Sequence, residues 1–175
     1  MEGLLKKIET AWLDKGFSAI ISHVSTSDAP VYGCAFWMLY CDYSVLGVPC
    51  FAINDEDHES AQDQYQRWAP PEWRIDVHDV VGEMQELYSK LSNGMKGKSD
   101  EDWEEMMEAH YGIMCSVSLQ LTEKYHQSDL STKNSGFIVC ILEEREGDEI
   151  FEALLKNSTS EARVESAKGL KKLLG

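Results

Sequence analysis

The chain has 175 residues, a length that fits one domain spanning residues 1–175 and buries roughly 70% of the unfolded surface without a disulfide or metal staple. Apolar types make up 43% and charged types 27%, which excludes a disordered or fibrous chain. Acidic residues outnumber basic ones 31 to 16, and the resulting net charge of −15 repels nucleic-acid phosphates and anionic membranes, so direct nucleic-acid or membrane binding is not expected.

The opening segment sets Leu4, Leu5, Ile8, Ala11 and Trp12 at helical spacing, with Gly16 as the expected stop. Its Glu2 and Glu9, and the lack of an uninterrupted apolar core, argue against a signal peptide. Phe17 to Val24 and the aromatic run Tyr32 to Tyr43 flank the polar turn Ser25 to Pro30 and predict a hairpin; a third strand is predicted over Val45 to Ile53. Asp42, Gly47 and Pro49 interrupt the near-uncharged run Val31 to Ile53, so it reads as strands rather than a membrane span.

From Glu59 the pattern turns helical up to Trp68, where Pro70 and Pro71 break it. Val77, Val80, Val81, Met84, Leu87, Tyr88 and Leu91 mark an amphipathic helix, followed by a connector over Ser92 to Lys98. Ser99 stands as an N-cap before Asp100, Glu101 and Asp102, opening a long helix to about His126 with Gly112 as a candidate kink. Phe137 to Leu142 reads as a strand. Ile150 to Leu155 begins a further helix, and Ser158 with Glu161 has capping-box spacing for a last one, whose carboxyl end Lys168, Lys171 and Lys172 suit. This order predicts an α+β domain: a single, largely antiparallel sheet of about four strands covered by several helices.

Chemical signatures are sparse. Cys34, Cys41, Cys50, Cys115 and Cys140 form no C-x-x-C pair and are odd in number, which points to free thiols and a cytoplasmic setting. His23, His58, His78, His110 and His126 make no metal-binding spacing, and Glu104 and Glu108 share a helix face without the Glu-x-x-His step of di-metal bundles, so neither a metal nor a cofactor is expected. His110 lies in an apolar stripe and reads as core. His23, Ser25 and Asp28 have the residue types of a triad at unhelpful spacing, and Cys115 beside Ser116 reads as packing; no catalytic residue is assigned.

The charge is regional: residues 54–110 hold 16 acidic and 5 basic residues, a net −11. Self-repulsion on that scale favours a basic partner. Asp55, Glu56, Asp57, Glu59, Asp63 and Asp76 are the candidate carboxylates for such a contact. Trp68 and Trp73, around the double proline between Arg67 and Arg74, are either the anchors of an interface or a structural corner.

Several stretches carry a resemblance. The opening helix, Tyr32-Gly-Cys-Ala-Phe-Trp37, the strand end Phe51-Ala-Ile-Asn-Asp-Glu56, the turn Arg67-Trp-x-Pro-x-x-Trp73, and the late strand with its helix ending near Asn157 together resemble a bacterial family. That family was first catalogued as a domain of unknown function, and its members occur among immunity proteins of polymorphic and contact-dependent toxin systems. The resemblance covers most of the chain and departs from the family pattern at Ile53 and Glu72. It implies a monomeric antitoxin of contact-dependent growth inhibition that binds and occludes the effector domain of a cognate secreted toxin, a basic nuclease. The alternatives are a small cytosolic hydrolase or transferase with an unrecognised site, and a structural adaptor for a basic host protein.

Overall fold

The computed structural model describes residues 1–37, 39, 41–63, 66–73, 75, 76, 78–132, 134–143 and 147–174, with the side chains of 75, 76, 78–81, 83, 131, 132 and 174 excepted. Helix α1 (Glu2–Thr26) buries Leu5, Ile8, Trp12, Gly16, Ile20 and Val24. The predicted stop at Gly16 and strand over Phe17 to Val24 are therefore replaced by one continuous helix. The later apolar positions recur in steps of four rather than two, which is helical spacing. Gly16 serves a close helix crossing, since a Cβ there would stand 3.1 Å from Leu121 Cδ1.

Strand β1 (Val31–Trp37) pairs antiparallel with β2 (Cys50–Asp55), and β2 pairs with the two-residue β3 (Ile75–Asp76). On the other side β1 pairs in parallel with β4 (Ile138–Ile141), giving the order β3-β2-β1-β4. The α+β class holds, but the sheet is mixed. It has three strands of four residues or more and a two-residue edge pairing, where a largely antiparallel sheet was expected. The antiparallel expectation failed because β1 reaches its second neighbour through the helices between β2 and β4, the long crossover that parallel pairing needs.

Helix α2 covers only Glu59–Gln62, much less than the helix predicted to Trp68, and Pro70–Glu72 form a 3₁₀ turn. Helix α3 (His78–Met95) runs through Ser92 and Gly94, where a connector was expected. Helix α4 (Asp100–Gln127) starts as predicted, with Ser99 and Asp102 completing a reciprocal capping box, and continues unbroken through Gly112. Helices α5 (Asp148–Ser158) and α6 (Glu161–Ser166) follow β4. Ser158 does not cap α6: its hydroxyl accepts from the Ile141 amide at 3.0 Å and donates to the Leu155 carbonyl at 3.2 Å. Lys171 and Lys172 lie in a separate 3₁₀ turn beyond α6, with Lys168 before it.

Both faces of the sheet are covered, which accounts for the nearly continuous apolar runs of its strands. Cys34, Phe36, Phe51, Ile53, Val139 and Ile141 pack against α1, α3 and α4. Ala35, Ala52, Ile138, Cys140 and Leu142 face a second cluster containing Trp68, Trp73, Leu155, Val164 and Leu170. A register shift between Val31 and Gly33 turns Tyr32 onto this second face.

The outer edge of β4 is closed by side chains. Thr122 Oγ1 of α4 accepts from the Val139 amide at 2.9 Å, and the Ser158 hydroxyl at the end of α5 takes the Ile141 amide. Two outward N–H groups of an edge strand are thereby satisfied without another strand.

Candidate functional site

The predicted acidic site begins where β2 ends. Asp55 is 1% exposed, and its Oδ1 accepts from the amides of Asp57 at 3.1 Å and His58 at 3.2 Å. Its Oδ2 faces the Ser27 hydroxyl at 3.4 Å and His23 Nε2 at 3.7 Å. These contacts tie the end of α1 to the end of β2 beside an open depression of about 390 Å³ lined by His23, Ser27, Asp28, Asp55 and Asp57 among others. The carboxylate proposed for partner contact is thus a structural acceptor; Ser25 lies exposed in the last turn of α1 and Asp28 exposed on the bend that follows.

Glu56 is also engaged. Arg67 grips it with both guanidinium nitrogens, at 2.9 Å for the Nη1–Oε2 contact, and this hydrogen bonding holds the Glu56 carboxyl below its ordinary pKa. Arg67 is itself 4% exposed; it donates to the carbonyls of Ala61 at 2.8 Å and Lys168 at 3.1 Å, and its guanidinium lies 3.9 Å from the Tyr32 ring centroid. A planar, five-donor cation suits this enclosed position in a way that lysine would not.

Trp68 and Trp73 form the corner around this arginine. Trp68 Nε1 donates to the Lys168 carbonyl at 3.0 Å, and Trp73 Nε1 and the Tyr32 hydroxyl donate to the Arg67 carbonyl at 3.0 and 2.6 Å. The Tyr32, Trp68 and Trp73 rings meet edge to face at 5.4–5.9 Å, and burial pushes the Tyr32 phenol far up. Both indoles are buried, so they serve the structural corner and not an exposed anchor. Tyr32 also accepts from Asn54 Nδ2, which reaches Ser60 as well; His58 Nδ1 meets that Ser60 hydroxyl at 2.8 Å while capping α2.

Of the candidate contact residues, Asp57, Glu59 and Asp63 are exposed. Asp63 Oδ1 accepts from the Gln66 amide at 3.2 Å. Asp76 lies in β3, and its side chain is outside the described residues; so are the side chains of His78, Asp79 and Glu83. His110 is fully buried: its Nε2 lies 2.9 Å from the Tyr88 hydroxyl, which also accepts from Trp12 Nε1 at 3.0 Å. Burial pushes its pKa down to about 4. Among the described residues no group of three or more His, Cys, Asp or Glu is arranged to hold a metal ion, and no helix is long and apolar enough to cross a membrane.

A second acidic locus sits at the opposite end of the sheet, beyond Trp37. Cys41 bridges Leu46 across a tight turn. Asp42 Oδ1 accepts from the Ser44 amide at 2.9 Å, the Ser44 hydroxyl at 2.6 Å and the Val45 amide at 2.8 Å, which lowers its pKa. Tyr43 occupies the left-handed region at φ 59° and is 50% exposed. Beside it a groove of about 280 Å³ is lined by Cys41, Tyr43, Glu104, Met107, Glu108, Tyr111 and Ile150. The negative charge of Glu104, then burial and Asp100, raise the Tyr43 phenol. The acidic stretch that looked like one flank in sequence is therefore divided between the two ends of the sheet. Sequence reasoning missed the second locus because Tyr43 and Val45 read as the facing ends of two strands; the signal was Asp42 two residues before Ser44, an Asx-turn spacing.

No family model, no curated protein and no solved structure matches this chain.

Proposed function

We propose that this chain is an acidic binding protein of the immunity type: a monomeric cytoplasmic antitoxin that occludes the cationic effector domain of a cognate secreted toxin, a nuclease delivered by contact-dependent growth inhibition. The net charge of −15 carries this reading. With exposed acids at both ends of the sheet, such a surface steers a basic partner inward at rates of roughly 10⁸ M⁻¹s⁻¹ at low salt. The mechanism is occlusion: carboxylates stand where substrate phosphates would, and an apolar centre excludes water.

The residues with the greatest chemical potential add support by what already occupies them. Asp55 is spent on backbone amides, Arg67 on Glu56 and two carbonyls, and His110 on Tyr88. Buried Cys34, Cys115 and Cys140 have thiols pushed up by burial, which disfavours the thiolate a nucleophile needs.

The test is to mix the purified protein with the toxin effector domain encoded beside its gene. A tight 1:1 complex that weakens as salt rises, with loss of the effector's nuclease activity, is expected. No complex below micromolar concentration overturns the proposal.

A further inference from the structure

We propose that the groove between the Tyr43 turn and the first half of α4 is a docking site for a cationic protein segment, seated by an arginine side chain. The inference rests on the acidic-binding reading for its choice of a protein partner, and it names the surface and the chemistry that reading leaves open.

Two of the five large hydrophobic side chains exposed among the described residues line this groove, Tyr43 at 50% and Ile150 at 37%, and Val45, exposed at 55%, belongs to the same turn as Tyr43. Met107 and Tyr111 extend the apolar lining, and Glu104 and Glu108 stand on it one helical turn apart. Like charges at that spacing repel each other. A cation between them removes the repulsion.

The groove's field is legible from inside. The Tyr43 phenol is raised chiefly by Glu104, with Asp100 adding to it, so a negative potential reaches the aromatic tip. A guanidinium matches both features at once: its plane stacks on a tyrosine ring and its fork takes a carboxylate, whereas an ammonium offers only a point charge. The three bonds of Asp42 hold the turn in shape before a partner arrives, which lowers the ordering cost of binding. At the other end of the sheet, Asp55 and Glu56 are engaged internally and the tryptophans are buried. The combination of exposed apolar centre and charged rim found in binding hot spots is thus present at the Tyr43 end.

The probes are tetra-arginine amide and tetra-lysine amide, titrated into the intact protein at low salt and followed by two-dimensional NMR. Shifts should cluster on Tyr43, Glu104, Glu108 and Ile150, with arginine binding tighter than lysine. Glu104→Gln with Glu108→Gln, or Tyr43→Ala, should weaken arginine-peptide binding by about tenfold, while Asp57→Asn with Glu59→Gln should not. All these positions are exposed, and unchanged thermal unfolding certifies the variants as folded. Shifts centred on residues 57–63, equal affinity for the two peptides, or no shift at millimolar peptide would overturn the docking site. The toxin complex separates the two proposals: a complex that forms and is indifferent to the groove variants sinks the site and leaves the function, while absence of any complex alongside a responsive groove sinks the function alone.

Discussion

Gly33 of β1 lies directly beneath the six-membered ring of Trp68: a Cβ at this position would stand 2.9 Å from Cζ3 and 3.0 Å from Cη2. Trp68 is held in turn by its bond to the Lys168 carbonyl and by Tyr32 and Trp73, so the ring has little room to retreat. Gly33→Ala should therefore destabilise the fold by about 1–3 kcal/mol through overpacking, measured by urea unfolding. A variant as stable as the parent would show that the corner is more yielding than its geometry.

Arg67 organises the same corner. Arg67→Met should cost about 2–3 kcal/mol, because it strips hydrogen bonds from Glu56, from the buried Ala61 carbonyl and from the Lys168 carbonyl. Arg67→Lys should recover only part of this, since the fork is lost. The pH dependence has a definite sign. Glu56 has a folded pKa below its ordinary 4.5, so its contribution is present above that value and is lost as pH falls through the lowered one. Glu56→Gln should flatten the stability profile in that acid range, and an unaltered profile would contradict the assignment.

His110 titrates in the opposite sense from a paired histidine. Its folded pKa, near 4, is well below the ordinary 6.5, so the unfolded chain takes up the proton first. Its contribution is complete above 6.5 and declines as pH falls from 6.5 toward 4, by about 3 kcal/mol in all. The His110→Leu protein should be less stable at neutral pH yet lose less on acidification. NMR should find the His110 ring neutral at about pH 5; a protonated ring there would refute the claim.

The thiols divide by depth. Burial pushes Cys115 up to about 11 and raises Cys34 and Cys140 as well, whereas Cys41 and Cys50 are half-buried. A thiol reagent at neutral pH should label Cys41 and Cys50 in the native protein and the other three only after unfolding. Rapid native labelling of Cys115, read by mass spectrometry, would count against the packing described.

Helices with one apolar stripe and a clear cap were legible in the sequence. Ser99 and Asp102 announce α4, and Met84, Tyr88 and Leu91 mark the buried side of α3. The failures have physical causes. Gly16 carries the signature of a stop, but its missing side chain admits Leu121, information held by a residue more than a hundred positions away. The parallel pairing of β1 with β4 leaves no local mark, because both strands are buried on both faces and neither alternates. At the candidate site, exposure was the unreadable quantity. Asp55 and Asp57 look equivalent in sequence, yet Asp55 accepts the amide of Asp57 and is buried by doing so. Trp68 and Trp73 have the composition of an interface because buried corners and protein contacts favour the same residue types.

The hydroxyls of Thr122 and Ser158 along β4 bear on how this protein behaves in a crowd. A strand with dangling amides is a template on which other chains can polymerise, and abundant proteins with such borders seed fibrils. Here two of those amides are already occupied by neighbours from α4 and α5. Growth of a stacked-strand assembly from this margin would first have to evict both, which guards the molecule against self-templating while leaving its surface charges at liberty for recognition.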